Sequence, residues 1–159
     1  MTDKKYIWIE IGLVVILIVY IIFINGFYSG GTDKSIAEVS KPVTATLKGS
    51  TLSKKTNGDA VKAFGFELDK TDGIMYYAAD NVMDVSEVLI VKLKDKTDAP
   101  DFEEKIRERV TNQENLYKGY APKQYSLLQN SIVASSGNTV FYCTSKTANA
   151  IYEAYKNAL

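Results

Sequence analysis

Ser131-Ile132-Val133-Ala134-Ser135-Ser136-Gly137-Asn138-Thr139-Val140-Phe141-Tyr142-Cys143-Thr144 reads as two short runs rich in β-branched and aromatic residues, joined by Gly137-Asn138. A two-residue glycine turn of this kind supplies the positive φ that a tight hairpin needs and fixes its register. Ile132 then opposes Cys143 and Ala134 opposes Phe141 on one side, while Val133 opposes Tyr142 and Ser135 opposes Val140 on the other. Both faces carry apolar residues.

Working outward, Ile74-Met75-Tyr76-Tyr77-Ala78-Ala79 and Val88-Leu89-Ile90-Val91-Lys92-Leu93-Lys94 have strand length and strand composition. In the second, Leu89, Val91 and Leu93 share one face and Lys92 and Lys94 the other, which predicts that the lysine face is wet. Between the two pairs, Phe102, Ile106, Val110, Gln113 and Tyr117 recur at helical spacing. Asp98 is the expected N-cap of that helix, Pro100 falls in its first turn, and Gly119 ends it as the C′ residue. Pro122 starts a short helix through Tyr125 and Leu128 that Asn130 closes. Ser145 is the expected cap of a last helix with Ala148, Ile151, Tyr152, Tyr155 and Ala158 on its buried stripe.

Upstream, Ile36, Val39, Val43 and Leu47 form a weaker helical stripe that Pro42 either kinks or divides. Asn57-Gly58 is expected as a turn, with Asp59 capping a short helix that carries Val61 and Phe64. Hairpins on both sides of a helix predict an α+β domain in β-β-α-α-β-β-α order, with a mainly antiparallel four-stranded sheet packed by helices.

The N-terminal part has a different character. From Ile11 to Thr32 no residue is charged, a length sufficient for a helix to cross a bilayer. Tyr6 and Trp8 before the run and Phe27 and Tyr28 at its far end suit the membrane interface, and Lys4 and Lys5 put the N-terminus on the cytoplasmic side. A cleaved signal peptide competes with this reading. Its apolar core would be shorter and would end at small residues. The expected organisation is a cytoplasmic tail (1–10), a transmembrane anchor (11–28), a glycine-containing tether (29–35) and an extracytoplasmic α+β domain (36–159).

Composition removes several chemistries. With 19 basic and 19 acidic residues in 159, the net charge is zero, which argues against nucleic acid as a partner. Histidine is absent, so imidazole acid/base catalysis, histidine-dependent triads and imidazole metal ligands are excluded. A single cysteine excludes an internal disulfide. No cofactor is expected.

The remaining candidates are few. Cys143 lies mid-strand without a basic neighbour and reads as a buried, inert thiol. Asp69, Asp72, Asp80 and Asp84 surround the first strand but lack calcium-loop spacing, so solvated turns are the simpler reading. Ser53 with Lys54 or Lys55 could support Ser-Lys chemistry only if the fold brought them into reach of a substrate. Tyr120, Lys123, Gln124 and Tyr125, at the joint after Gly119, are either architecture or a polar-aromatic surface for a protein partner of the cell envelope.

Gly119-Tyr120-Ala121-Pro122-Lys123-Gln124-Tyr125 after a charged helix, with Glu87-Val88-Leu89-Ile90-Val91-Lys92 before it and Gly137-Asn138 behind it, resembles the bacterial domain of unknown function 4358. The resemblance runs from about Lys34 to Lys156. It implies an extracytoplasmic domain of Gram-positive bacteria, tethered by a lipid or a helix, and no known reaction. This chain lacks the cysteine that anchors lipidated members. Two function classes follow: a non-catalytic interaction or sensing domain of the envelope, or a histidine-independent enzyme of carboxylate or Ser-Lys type acting on envelope material.

Overall fold

A computed structural model of the chain describes residues 13–18 and 34–159. The chain divides into two compact units, Met1–Gly30 and Gly31–Leu159. In the first, residues 13–18 are helical, and Leu13 to Ile18 are all exposed. The rest of the expected anchor, with Tyr6, Trp8, Phe27 and Tyr28, lies outside the described residues. Among the described residues no helix is long and apolar enough to cross a membrane, which corrects the expected fold at that point.

The second unit is built on an antiparallel sheet of five strands, not four. In chain order these are β1 (Leu52–Lys54), β2 (Thr71–Ala79), β3 (Glu87–Leu93), β4 (Ile132–Ser136) and β5 (Thr139–Thr144), arranged β1-β2-β3-β5-β4. The unexpected strand is β1, three residues long and paired with the end of β2 through Leu52↔Ala79, Ser53↔Ala78 and Lys54↔Tyr77. Leu-Ser-Lys is too short to show a period, so only the pairing reveals it. The hairpin β4-β5 has the register that its turn dictates, with Ile132↔Cys143, Val133↔Tyr142, Ala134↔Phe141 and Ser135↔Val140.

Helices cover both faces. On one lie α1 (Ile36–Thr46) and α5 (Ala148–Ala158), whose Val39, Val43, Ile151 and Tyr155 pack with Met75, Val88, Ile90, Phe141 and Cys143. On the other lie α2 (Asn57–Phe64) and α3 (Ala99–Tyr117), bringing Ala60, Phe64, Phe102 and Ile106 against Tyr76, Leu89, Val91, Val140 and Tyr142. Phe66 bridges them, stacked on Phe64 at 5.1 Å and on Phe102 at 4.5 Å between ring centroids. Every residue of β3 is buried, which overturns the expected wet face. Lys92 is only 8% exposed because its ammonium donates to the Lys34 carbonyl at 2.6 Å. Lys94, one residue beyond the strand, is the exposed lysine.

Local chemistry explains the helix ends. Ser35 caps α1 in a reciprocal box with Glu38, and α1 runs unbroken through Pro42. Thr56, not Asp59, is the N-cap of α2. Asp59 closes the box from the third helical position, and the expected Asn57-Gly58 turn is the first turn of helix. Asp98 makes no capping bond, because Lys96–Asp98 already turn as a 3₁₀ segment in which Asp95 accepts from the Thr97 N–H. Ser145 likewise stands outside α5, where its hydroxyl accepts from the Thr147 N–H at 3.2 Å. Gly119, at φ 90°, ends α3 as the sequence predicts. A short helix α4 (Pro122–Gln129) follows, closed by Asn130.

A cleft over a saturated ion pair

Three elements meet at the Glu87 end of the sheet: the β2-β3 loop (residues 80–86), the C-terminal half of α3, and the start of α2. Between them lies a cleft of about 460 Å³, within the usual range for small-molecule sites. Its floor is Glu87, the first residue of β3, which is 2% exposed. A carboxylate so placed needs full compensation, and the surrounding side chains give it. Arg109 donates from Nε to Oε1 and from Nη2 to Oε2, both at 3.1 Å. The hydroxyls of Tyr76 and Tyr142 donate to Oε2 at 2.7 Å and to Oε1 at 2.9 Å. Thr144 donates to the Tyr142 hydroxyl at 2.8 Å, and Arg109 Nη1 donates to the Ala63 carbonyl at 3.1 Å. The guanidinium also lies 4.9 Å from the Phe64 ring centroid.

The electrostatics follow from this closure. Burial, followed by the charge and hydrogen bond of Glu87, pushes the Tyr76 phenol well above its ordinary value. Burial does the same to Tyr142, with Glu87 adding to it. For Arg109 burial opposes the cation, yet the Glu87 carboxylate outweighs it and the pKa is raised. None of these groups is poised to exchange a proton near neutrality.

The walls are different. Gln113, one turn after Arg109 on α3, lines the cleft, and its Oε1 is buried without a hydrogen-bond partner. A buried unpaired acceptor costs stability of about 1–3 kcal/mol. Asp59 and Asp84 also line the cleft. Asp59 is held below the usual carboxylate range by hydrogen bonds from the Thr56 backbone and side chain. Lys55 lines it too, with its ammonium 2.5 Å from Asp80 Oδ1. Val82, in the β2-β3 loop, also lines the cleft and is 88% exposed.

The joint after α3 supports this cleft from behind. Tyr117 lines it and donates to the Val82 carbonyl at 2.9 Å. Tyr120 stacks on Tyr117 at 5.5 Å and is otherwise exposed. Gln124 is half-buried: its Oε1 accepts from the Val85 N–H at 3.0 Å, tying α4 to the β2-β3 loop. Tyr125 packs at the edge of a small cluster of Val85, Tyr117 and Leu128. Lys123 is exposed. The joint is therefore legible in the sequence, whereas the cleft that Gln124 helps to hold in place is not. Gln113 stands in the sequence as one position of a helical stripe, and Glu87 only as the residue before the strand expected from Val88.

The catalytic candidates come apart. Cys143 is fully buried in the sheet, and burial pushes its thiol up to about 12. Ser53 and Lys55 do converge, but on a shared carboxylate: Ser53 Oγ donates to Asp80 Oδ2 at 2.5 Å and Lys55 pairs with Oδ1. An ammonium held in an ion pair has no lone pair with which to accept the serine proton. Among the described residues no group of three or more Asp, Glu or Cys side chains comes together as a metal set. Asp80 is committed to Ser53 and Lys55, Asp84 accepts from the Ser86 N–H, and Asp72 lies 4.0 Å from Lys92.

The class that emerges is a small α+β domain with helices on both faces of its sheet and a polar cleft at one end. The family described as Domain of unknown function (DUF4358) matches residues 45–145, and the chain belongs to it. That span includes every strand, the whole cleft and the Gly119–Tyr125 joint. No curated protein and no solved structure matches the chain.

Proposed function

We propose that this protein is a non-catalytic binding domain displayed on the outer face of the bacterial cell membrane, and that the cleft above Glu87 is its binding site. One contrast carries the reading: the ionisable groups of the floor are consumed by one another, whereas the Gln113 amide is left uncommitted in the wall. A catalytic site needs a group free to take or give a proton or electron pair. A binding site needs uncommitted hydrogen-bonding groups on a rigid support, and the Glu87–Arg109 network is such a support.

The folded unit begins at the Lys92 end of β3, where Lys34 accepts from Lys92. The cleft lies at the Glu87 end, about 17 Å away along the strand at its usual rise per residue. Membrane attachment rests on the uncharged run 11–32 and on Lys4 and Lys5 before it.

Two measurements test this. A topology reporter fused after Leu159 is expected to read outside the cell, and cytoplasmic activity would contradict the placement. A photo-crosslinking residue at Val82, on the rim, is expected to capture the same discrete product repeatedly in intact cells, with no such product from Lys41 on exposed α1 surface. Equal capture from both positions would contradict the site.

A further inference from the structure

The same cleft carries information about what it takes, and the inference rests on the binding reading above. Three observations restrict the ligand. First, the Gln113 carboxamide makes no hydrogen bond within the protein, and its Oε1 is buried. A carboxamide offers one acceptor and a donor pair, the complement of another amide. Its neighbour Arg109 has five N–H groups, of which three are engaged, by Glu87 and Ala63. The remaining N–H groups suit a carbonyl oxygen. Second, once Arg109 is cancelled by Glu87 and Lys55 by Asp80, the charges left on the cleft lining are those of Asp59 and Asp84. An anionic ligand would meet repulsion there, and a cationic group would be favoured. Third, Val82, exposed in the cleft lining, and Ala78 and Ala79 beside it suit a ligand with small apolar side chains.

An amide, a cation and short apolar branches together describe a peptide with a free amine. We infer that the cleft binds the amino-terminal end of a short peptide, with a peptide group on the Gln113 amide and the Arg109 N–H, and the ammonium against Asp84 and Asp59. No bond is made or broken. Glu87 stays outside the contact, since its two oxygens already accept four hydrogen bonds.

The test uses the full chain in detergent, labelled with ¹⁵N at the glutamine side chains, and two probes: Ala-Ala-Ala amide with a free amino terminus and the same peptide N-acetylated. The free-amine peptide is expected to shift the Gln113 carboxamide signals saturably and the acetylated one to bind at least tenfold more weakly. Asp84→Asn keeps the oxygen that accepts from Ser86 and is expected to erase the difference between the peptides. Gln113→Leu is expected to abolish binding of both. Equal affinity of the two peptides, or saturable shifts that avoid Gln113, would overturn the inference. If neither peptide binds while Val82 still captures its product in cells, the peptide assignment falls and the binding site stands. Loss of both removes the site itself.

Discussion

Arg109 grips Glu87 through two parallel hydrogen bonds of 3.1 Å each, joining the middle of α3 to the first residue of β3 under the cleft. A pair this deeply placed matters less for net attraction than for the penalty of dividing it. Arg109→Met would leave a carboxylate buried with only two tyrosine hydroxyls. The expected loss is about 3–5 kcal/mol in urea denaturation. Glu87→Gln should cost less, because the amide still accepts from a tyrosine, but it strands Arg109. A change below about 1 kcal/mol for both variants would mean that the network is not the support described.

Two glycines should fail for different reasons. At Gly73 a Cβ would stand 2.5 Å from Ile36 Cγ2 and 2.9 Å from Ile36 Cβ, so Gly73→Ala must push α1 off the sheet, at about 1–3 kcal/mol. At Gly119 there is open space but φ is 90°, so Gly119→Val strains the backbone by about 1–3 kcal/mol without a clash. Thermal unfolding would register both. Hydrogen exchange would place the first change around α1 and the second around the Tyr117–Pro122 turn.

Much of the sheet was legible in the sequence, and the reason is the hairpin turn. Gly137-Asn138 fixed the β4-β5 register to the residue, and the Phe102–Tyr117 stripe fixed α3. What escaped depended on contacts distant in sequence. Lys92 looked solvent-facing because a strand pattern cannot show that the Lys34 carbonyl waits at the end of its side chain. Strand β1 exists through its pairing with β2. The capping boxes were written in the sequence as Ser35-Ile36-Ala37-Glu38 and Thr56-Asn57-Gly58-Asp59, and the second was obscured by the strong turn signal of Asn-Gly. The cleft could not be read at all, because Lys55, Glu87 and the Arg109–Gln113 turn of α3 come from three separate segments.

The Gly119–Tyr125 joint separates into parts with distinct consequences. Gln124 holds the Val85 N–H, so Gln124→Ala should cost about 1 kcal/mol and speed hydrogen exchange across residues 80–86. Lys123→Ala, on exposed surface, should stay within about 0.5 kcal/mol. The reverse ranking would show that the loop is not held from α4.

Stability should fall in alkali through Cys143. Its thiol ionises at about 12 in the folded chain and near 8.5 once unfolded, so the unfolded state releases its proton first. The stabilising contribution is complete below about pH 8.5 and disappears as pH rises toward 12, with a limiting slope of about 1.4 kcal/mol per pH unit. Cys143→Ala should remove most of that slope between pH 8 and pH 9, where the tyrosines of the unfolded chain, which ionise near 10, are still largely protonated. An unchanged slope would place the thiol in contact with solvent.

Gln113→Leu tests the binding site most directly, when stability and capture are measured on the same variant. The side chain now carries a buried acceptor without a partner, so leucine should leave the folding free energy unchanged or raise it by up to about 1 kcal/mol. In the same cells, photo-crosslinking from Val82 should lose its product. A stable variant that no longer captures its partner is the predicted result. A variant that loses stability, or one that keeps full capture, would show that Gln113 serves the fold or nothing, and that the cleft above Glu87 is not the binding site.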